Sequence, residues 1–446
     1  MIRFCASVLV VLIPAKIMLH ERIFVKTPDL TADEAFAHDV VVNKRLNTLV
    51  TGGGGSGKTH LVSTVLESCS LRVVACGATS SAAMLLQDKA TFHSVFFGRL
   101  VDVGPSTELA TEARDITTDS HVRTRLQNCD LVVVDEVSML SATLLDLADY
   151  VARFARNVKD QWFGGLQMVF VGDFFQLEPV DAEHNGWAFE AKSWAAVRAV
   201  INMRHNYRAA ADPIFCQHLD LIRRGEGPLA SDIRYLLVNR QLKCPTVVFA
   251  TNREADAMNA RKVEELSGPK LVYKALNAPV ADLTLCKNAH VMTTRSLTLD
   301  GERVPNGARG TVFSFQPFKS SPEMAFWEVQ PVKQVPIVTF PNYGTFPIYP
   351  ARILSNGCRD AVQLPLKLAF AATAHRLQGQ GVAELDACAV RVFAHGHLYS
   401  MLSRVMSSRG LVLSGLDSVA ALDDVLARNR ETTDPKVRQF YADIGC

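Results

Sequence analysis

Between residues 47 and 210, apolar runs of strand length alternate with stretches whose apolar positions recur at helical spacing. The runs are Asn47-Thr-Leu-Val-Thr51, Arg72-Val-Val-Ala-Cys76, Asp130-Leu-Val-Val-Val134 and Gln167-Met-Val-Phe-Val171, each bounded by polar residues or glycine. From Ala142 to Val158, Leu144, Leu145, Ala148, Val151 and Ala155 fall on one helical face. Continuous apolar strands joined by helical crossovers predict a parallel sheet covered on both faces. The polar stretch 104–125 breaks this rhythm and predicts a small surface insertion. A second alternating set starts at Pro245-Thr-Val-Val-Phe249 and a helix at 253–266. From 291 to 365, proline, glycine and aromatic residues rise and short β-type runs appear, as at Gly310-Thr-Val-Phe313, Phe326-Trp-Glu-Val329 and Pro336-Ile-Val-Thr-Phe340. That stretch predicts a small β-barrel-like insertion. Strand and helix patterns return from Lys367 to about Arg428.

Composition narrows the class. A chain of 446 residues with 48% hydrophobic content has a large core to bury and is not a disordered one. A net charge of +2 excludes a polybasic nucleic-acid coat, so any nucleic-acid site must be a local groove. The ten cysteines form no C-x-x-C pair and no zinc-spaced cluster, which reads as reduced thiols in an intracellular protein. Residues 1–19 carry Arg3, Lys16 and no acid around an apolar stretch too short to span a bilayer. Residues 1–27 read as a targeting segment, mitochondrial rather than secretory, or as an extra buried strand or a tail, with a nuclear location as the alternative.

The chemistry starts at Leu49–Val62, which contains Gly-x-x-x-x-Gly-Lys-Thr as Gly52, Gly57, Lys58 and Thr59. A loop that wraps a triphosphate needs inward backbone N–H groups with no Cβ in the way, a cation for the β/γ-phosphates and a hydroxyl for Mg²⁺. Alone, Gly52, Gly53, Gly54, Gly55 and Ser56 also read as a flexible linker. A strand before them and a helix from His60 favour the phosphate loop, with phosphate at a helix N-terminus. Further on, Val132-Val-Val-Asp-Glu-Val-Ser138 ends an apolar strand in two acids. Asp135 suits a Mg²⁺ shell with Thr59, and Glu136 suits positioning or deprotonating an attacking water. Gln176, in Val171-Gly-Asp-Phe-Phe-Gln-Leu-Glu-Pro-Val180, sits beyond another strand, where a neutral amide senses the γ-phosphate or its water.

At this third motif the chain resembles the superfamily-one DNA helicases of the RecD-like branch, and more closely the petite-integration-frequency (PIF-type) helicases. Trp162-Phe-Gly-Gly-Leu-Gln-Met168 is similar to that family's Phe-Gly-Gly signature. Gly77-Ala-Thr-Ser-Ser-Ala-Ala83 with Thr91-Phe-His-Ser94 resembles the first DNA-contacting motif, and Asn206-Tyr-Arg-Ala209 with Leu221-Ile-Arg-Arg-Gly225 the fourth. Phe249-Ala-Thr-Asn252 and Asn306-Gly-Ala-Arg-Gly310 resemble family landmarks, the run from Leu364 to Gly379 the fifth motif, and Leu398-Tyr-Ser-Met-Leu-Ser-Arg-Val405 the sixth. Each fragment is weak alone; their order and spacing are specific.

The resemblance implies an α/β fold of two RecA-like parallel-sheet motor domains, at 28–210 and 211–430, with ATP in the cleft between them. It implies a small SH3-like β-barrel insertion at 291–365 in the second domain, and a tail at 431–446. It implies an ATP-dependent, Mg²⁺-using DNA helicase that moves 5′-to-3′ on single-stranded DNA and opens forks in replication, repair, recombination or telomere maintenance. A monomer is expected, with no membrane role. Arg404 and Arg208 resemble the arginines that reach the γ-phosphate, where a guanidinium stabilises developing charge. His375, Arg376 and Gln378 resemble residues linking DNA to the ATP site. Thr79, Phe92, His93 and Asn252 are candidates for the DNA groove, although Phe92 reads equally well as core. The pattern departs at Glu178 for proline, at Gly381 for threonine, and at Glu34, where the adenine-reading glutamine is expected. A carboxylate there can only accept, leaving adenine N7 without a donor. A non-unwinding ATPase scaffold and an RNA-directed helicase remain the alternatives.

Overall fold

The computed structural model describes residues 23–25 and 35–446, apart from 68, 84–85, 87–89, 180–181, 209, 238–241, 243–245, 276–281, 305–306, 319–332, 342, 353–361 and 379–380. Residues 1–19, Glu34 and the run at 326–329 therefore lie outside the described residues. The chain divides into two compact units. The larger comprises Met1–Leu242, Leu377–Leu385 and Ala389–Cys446, and the smaller Lys243–Arg376 and Asp386–Cys388.

The larger unit is built on a seven-stranded parallel sheet of β1 (Ile23–Val25), β2 (Thr48–Gly52), β3 (Val73–Gly77), β4 (Ala90–Thr91), β5 (Leu131–Asp135), β6 (Gln167–Gly172) and β7 (Ala199–Met203). Its order is β1-β7-β2-β6-β5-β3-β4. The unbroken apolar strands follow from two covered faces. Leu49, Val132, Val134 and Phe170 enter one core with the helix Ala142–Arg156, while Val50, Val133, Val169 and Val171 enter another with Leu61 and Val65 of α1 (Lys58–Glu67). Successive side chains alternate across the sheet, so every position of β2, β5 and β6 is buried. The N-terminal strand Ile23–Val25, inside the stretch read as targeting segment or tail, pairs in register with Ala199–Ile201.

The polar stretch expected to be a surface insertion is structural. It forms helices Leu109–Ile116 and Ser120–Gln127, whose Ala113, Ile116, Val122 and Leu126 are buried in the main core. Two short amphipathic helices carry few apolar residues, so composition hides a stripe that helical spacing places on one face. The Phe-Gly-Gly signature also gains a reason. Phe163 (φ 51°) and Gly164 (φ 60°) are both left-handed, and the Phe163 N–H donates to the buried Asp149 carboxylate. A Cβ at Gly164 would meet the Ala152 carbonyl oxygen at 2.7 Å.

In the smaller unit β8 (Thr246–Phe249) pairs in parallel with the strand Ala371–Thr373, and the helix Asn252–Glu265 packs beside them. Asn259 locks this arrangement by exchanging two hydrogen bonds with the Ala371 backbone. The β-rich insertion is a five-stranded antiparallel sheet in the order Gly344–Pro347, Gln334–Phe340, Arg309–Pro317, His290–Thr293, Leu366–Leu368. No helix among the described residues is long and apolar enough to cross a membrane.

Candidate active site

Within the larger unit, a cavity of about 450 Å³ is lined by Gly54, Gly55, Gly57, Lys58, Thr59, His60, Asp135, Glu136, Gln176, Arg208 and Arg404. The phosphate-loop glycines are required by crowding as well as by conformation. Gly55 has φ 84°, and a Cβ there would strike the Arg208 side chain. The loop leads into α1, whose first residue is Lys58, so the loop caps a helix N-terminus. Lys58 Nζ donates to the carbonyls of Gly52 (2.7 Å) and Gly53 (3.0 Å). Burial lowers the Lys58 pKa, opposed by the charges of Asp173, Glu136 and Asp135.

The two acids at the end of β5 occupy different environments. Asp135 is buried and accepts from the Thr59 hydroxyl (3.2 Å) and the Glu136 N–H (2.9 Å). Burial, then the Glu136 charge, push its pKa up to about 7. The neighbouring oxygens of Thr59 and Asp135 are hard donors that would hold Mg²⁺, which would neutralise phosphate charge there. Among the described residues no group of three or more His, Cys, Asp or Glu could hold a metal alone. Glu136 adopts a left-handed conformation (φ 56°, ψ 46°), a strained state for a non-glycine residue at the cavity edge.

Arg404 is 1% exposed and Gln176 2%. The Arg404 guanidinium donates to Ser403 Oγ (2.8 Å) and to the Gln176 amide oxygen (3.4 Å), and its buried Nε has no hydrogen-bond partner. Burial and the neighbouring Arg208 bring its pKa down to about 10. Arg208 donates to the Ser403 carbonyl (3.0 Å), and burial lowers its pKa too. A buried and a half-buried guanidinium, neither shown bonded to a carboxylate, beside a half-buried lysine, suit a polyanion far better than a structural ion pair.

The DNA candidates divide. Phe92 is wholly buried and packs on Phe96 with ring centres 4.7 Å apart, so it is core rather than groove. Gln378 is also buried, and its amide donates to Glu136 Oε2 (3.1 Å). It meets the acid at the end of β5 rather than an open surface. Thr79 caps a short turn by accepting from the Ala82 N–H (3.2 Å). His93 is half-buried beside Phe97, and Asn252 is exposed at the start of its helix. His375 and Arg376 are half-buried in the smaller unit, where Arg376 lines a cavity of about 850 Å³ with Lys367.

Three residues near the phosphate loop were missed from the sequence. Tyr399 accepts from the Gly54 N–H (2.6 Å), and its place in the sixth motif could have marked it. Asp173 is fully buried and held by two bonds from Arg223 (2.9 and 2.8 Å). An acid directly after an apolar strand is the same signal that marked Asp135. Tyr441, which reaches Thr51 and Asp173, carries no such signal.

Comparison with known proteins agrees with this geometry. Residues 31–222 match the PIF1-like helicase family. The chain is 28% identical over 463 residues to the ATP-dependent DNA helicase PIF7 of Trypanosoma brucei brucei, covering 87% of this chain and 46% of that protein. It is 28% identical over 438 residues to the ATP-dependent DNA helicase PIF1 of Xenopus laevis, covering 92% of this chain and 64% of that protein. The chain thus spans less than two thirds of each relative's length. The Pif1 helicase structure from Candida albicans superposes with a TM-score of 0.77 at 24% identity, covering 94% of this chain and 99% of that one. That likeness shows the fold, two RecA-like α/β domains, and the matched segment and the two relatives make this chain similar to the PIF1-like helicases.

Proposed function

We propose that this chain is an ATP-dependent DNA helicase whose motor hydrolyses ATP at the cavity around Lys58. The observation that carries the reading is that Lys58, Arg208, Arg404, Asp135 and Glu136 line one cavity. In this reading Lys58 holds the β/γ-phosphates, and Thr59 and Asp135 hold Mg²⁺, which neutralises phosphate charge when bound. Glu136 accepts the proton of the attacking water, oriented by the Gln176 amide. Arg404 and Arg208 stabilise the charge that develops in the transition state. The names of the relatives support DNA as the substrate, and the motif resemblance implies 5′-to-3′ movement on single strands and opening of forks. We assign the motor domains to about 28–210 and 211–430. The end of the seven-stranded sheet at Met203 supports the first boundary.

Strand displacement on matched DNA and RNA forks, with and without ATP, tests the reading. Unwinding of the DNA fork alone is expected. ATP turnover without displacement of either fork points to a scaffold ATPase, and preference for the RNA fork to an RNA-directed enzyme.

A further inference from the structure

We infer that the Tyr441 hydroxyl, on the C-terminal helix Pro435–Asp443, is a positioning group for the nucleotide site that clamps together the two strand ends bearing the phosphate loop and Gln176. The inference rests on the hydrolytic reading above. β2 and β6 are neighbours in the sheet, with Thr51 opposite Gly172. The phosphate loop begins one residue after Thr51, and the Gln176 turn begins one residue after Gly172. Tyr441 Oη stands at both ends at once. It lies 2.7 Å from Thr51 Oγ1, accepts from the Phe174 N–H (3.1 Å) and donates to Asp173 Oδ1 (3.2 Å). With Thr51 as donor, the phenol makes one donated and two accepted bonds and is saturated.

The rest of the site holds this hydroxyl in place. The Tyr441 ring stacks on Phe175 with centres 4.6 Å apart and planes 10° from parallel. Arg223 pairs with Asp173 and lies over both rings, 4.8 Å from Phe175 and 5.3 Å from Tyr441. From Asp173 the turn closes through the Gln176 N–H, which donates to the Asp173 carbonyl (2.9 Å). A shift of Tyr441 would therefore move the γ-phosphate-sensing amide relative to the phosphate loop, although Tyr441 does not line the cavity.

Tyr441→Phe keeps the stacked ring and removes only the hydroxyl; Thr51→Val removes its partner. Three readouts are taken on the full chain: ATP turnover, thermal midpoint, and amide exchange. In Tyr441→Phe, kcat falls about tenfold with KM nearly unchanged, on the scale of small misplacements of reacting groups. Tm drops by no more than about 10 °C, as for the three hydrogen bonds that the hydroxyl makes. Amide exchange quickens at 52–57 and 173–177 and not elsewhere. Thr51→Val removes one of the three bonds, so it acts in the same direction but less strongly, and the double variant adds little to Tyr441→Phe, which already lacks that contact. Unaltered kcat, unaltered exchange at the two loops, or exchange quickened throughout the chain each overturns the proposal. If the wild-type chain has no ATP turnover that Lys58→Ala abolishes, the functional reading fails. Local exchange then decides the clamp by itself, quickened loops supporting it and unchanged loops overturning it.

Discussion

At the scale of single residues, the site is a set of charges held where water is scarce. Lys58→Ala is expected to lose ATP turnover by a few orders of magnitude. Glu136→Gln is expected to keep nucleotide binding and stop turnover, since the amide preserves shape and removes the base. Paired binding and steady-state assays check both, and near-normal turnover in either variant removes the assignment. Arg404 offers a sharper contrast, because its buried guanidinium hydrogen-bonds to no carboxylate. Arg404→Ala should lower the rate roughly 10³-fold or more, the scale of an arginine finger, with the thermal midpoint retained. A variant that loses stability in step with activity would mark Arg404 as a structural group instead.

At the scale of elements, the helices Leu109–Ile116 and Ser120–Gln127 are part of the larger unit's core. Ile116→Ala or Leu126→Ala is expected to cost ~2–5 kcal/mol, the range for truncating a fully buried aliphatic side chain. Denaturant titration measures this, and a loss below about 0.5 kcal/mol, the surface norm, would return the segment to a peripheral insertion. The Phe-Gly-Gly turn carries its own constraint. Gly164→Ala puts a Cβ against the Ala152 carbonyl in a left-handed residue, so about 1–3 kcal/mol of destabilisation is expected.

At the scale of the whole molecule, two couplings are testable. His375 and Arg376 sit on the smaller unit and Lys58 on the larger. Their alanine variants should keep basal ATP turnover and lose its stimulation by single-stranded DNA; stimulation retained with weaker affinity would reduce them to phosphate contacts. The second coupling is to pH. His395 is 3% exposed, donates from Nε2 to the Phe174 carbonyl (2.7 Å) and accepts at Nδ1 from the Asp434 N–H (2.9 Å). Burial lowers its pKa and Arg438 adds to this, while the bond to the Phe174 carbonyl, Asp434 and Asp173 oppose it. The native state therefore binds fewer protons here than the unfolded chain, so this stability is present above the ordinary imidazole pKa and is lost as pH falls below it. Between about pH 7 and pH 5 the wild type should lose more thermal stability than His395→Gln, which cannot titrate. Equal losses in the two proteins would assign the acid sensitivity to other groups.

What the residues determined by themselves was whatever local periodicity and local chemistry encode. Apolar strands with helical crossovers required a parallel sheet with two covered faces. The run of four glycines with Lys58 and Thr59, and the acids Asp135 and Glu136, each sit in one short segment whose function needs its neighbours in sequence. Ordered motifs then carried the resemblance to a helicase family. What only the tertiary structure decided depended on partners far apart in the chain. Phe92 and Gln378 differ little in sequence context from groove residues, but packing sends one into an aromatic cluster and the other onto Glu136. The helices at 109–127 looked like surface because their apolar stripe is narrow. Tyr441 meets Thr51 across 390 positions, and a contact between such distant residues leaves no periodic trace, because it is created by the fold that brings the two strand ends and the last helix together.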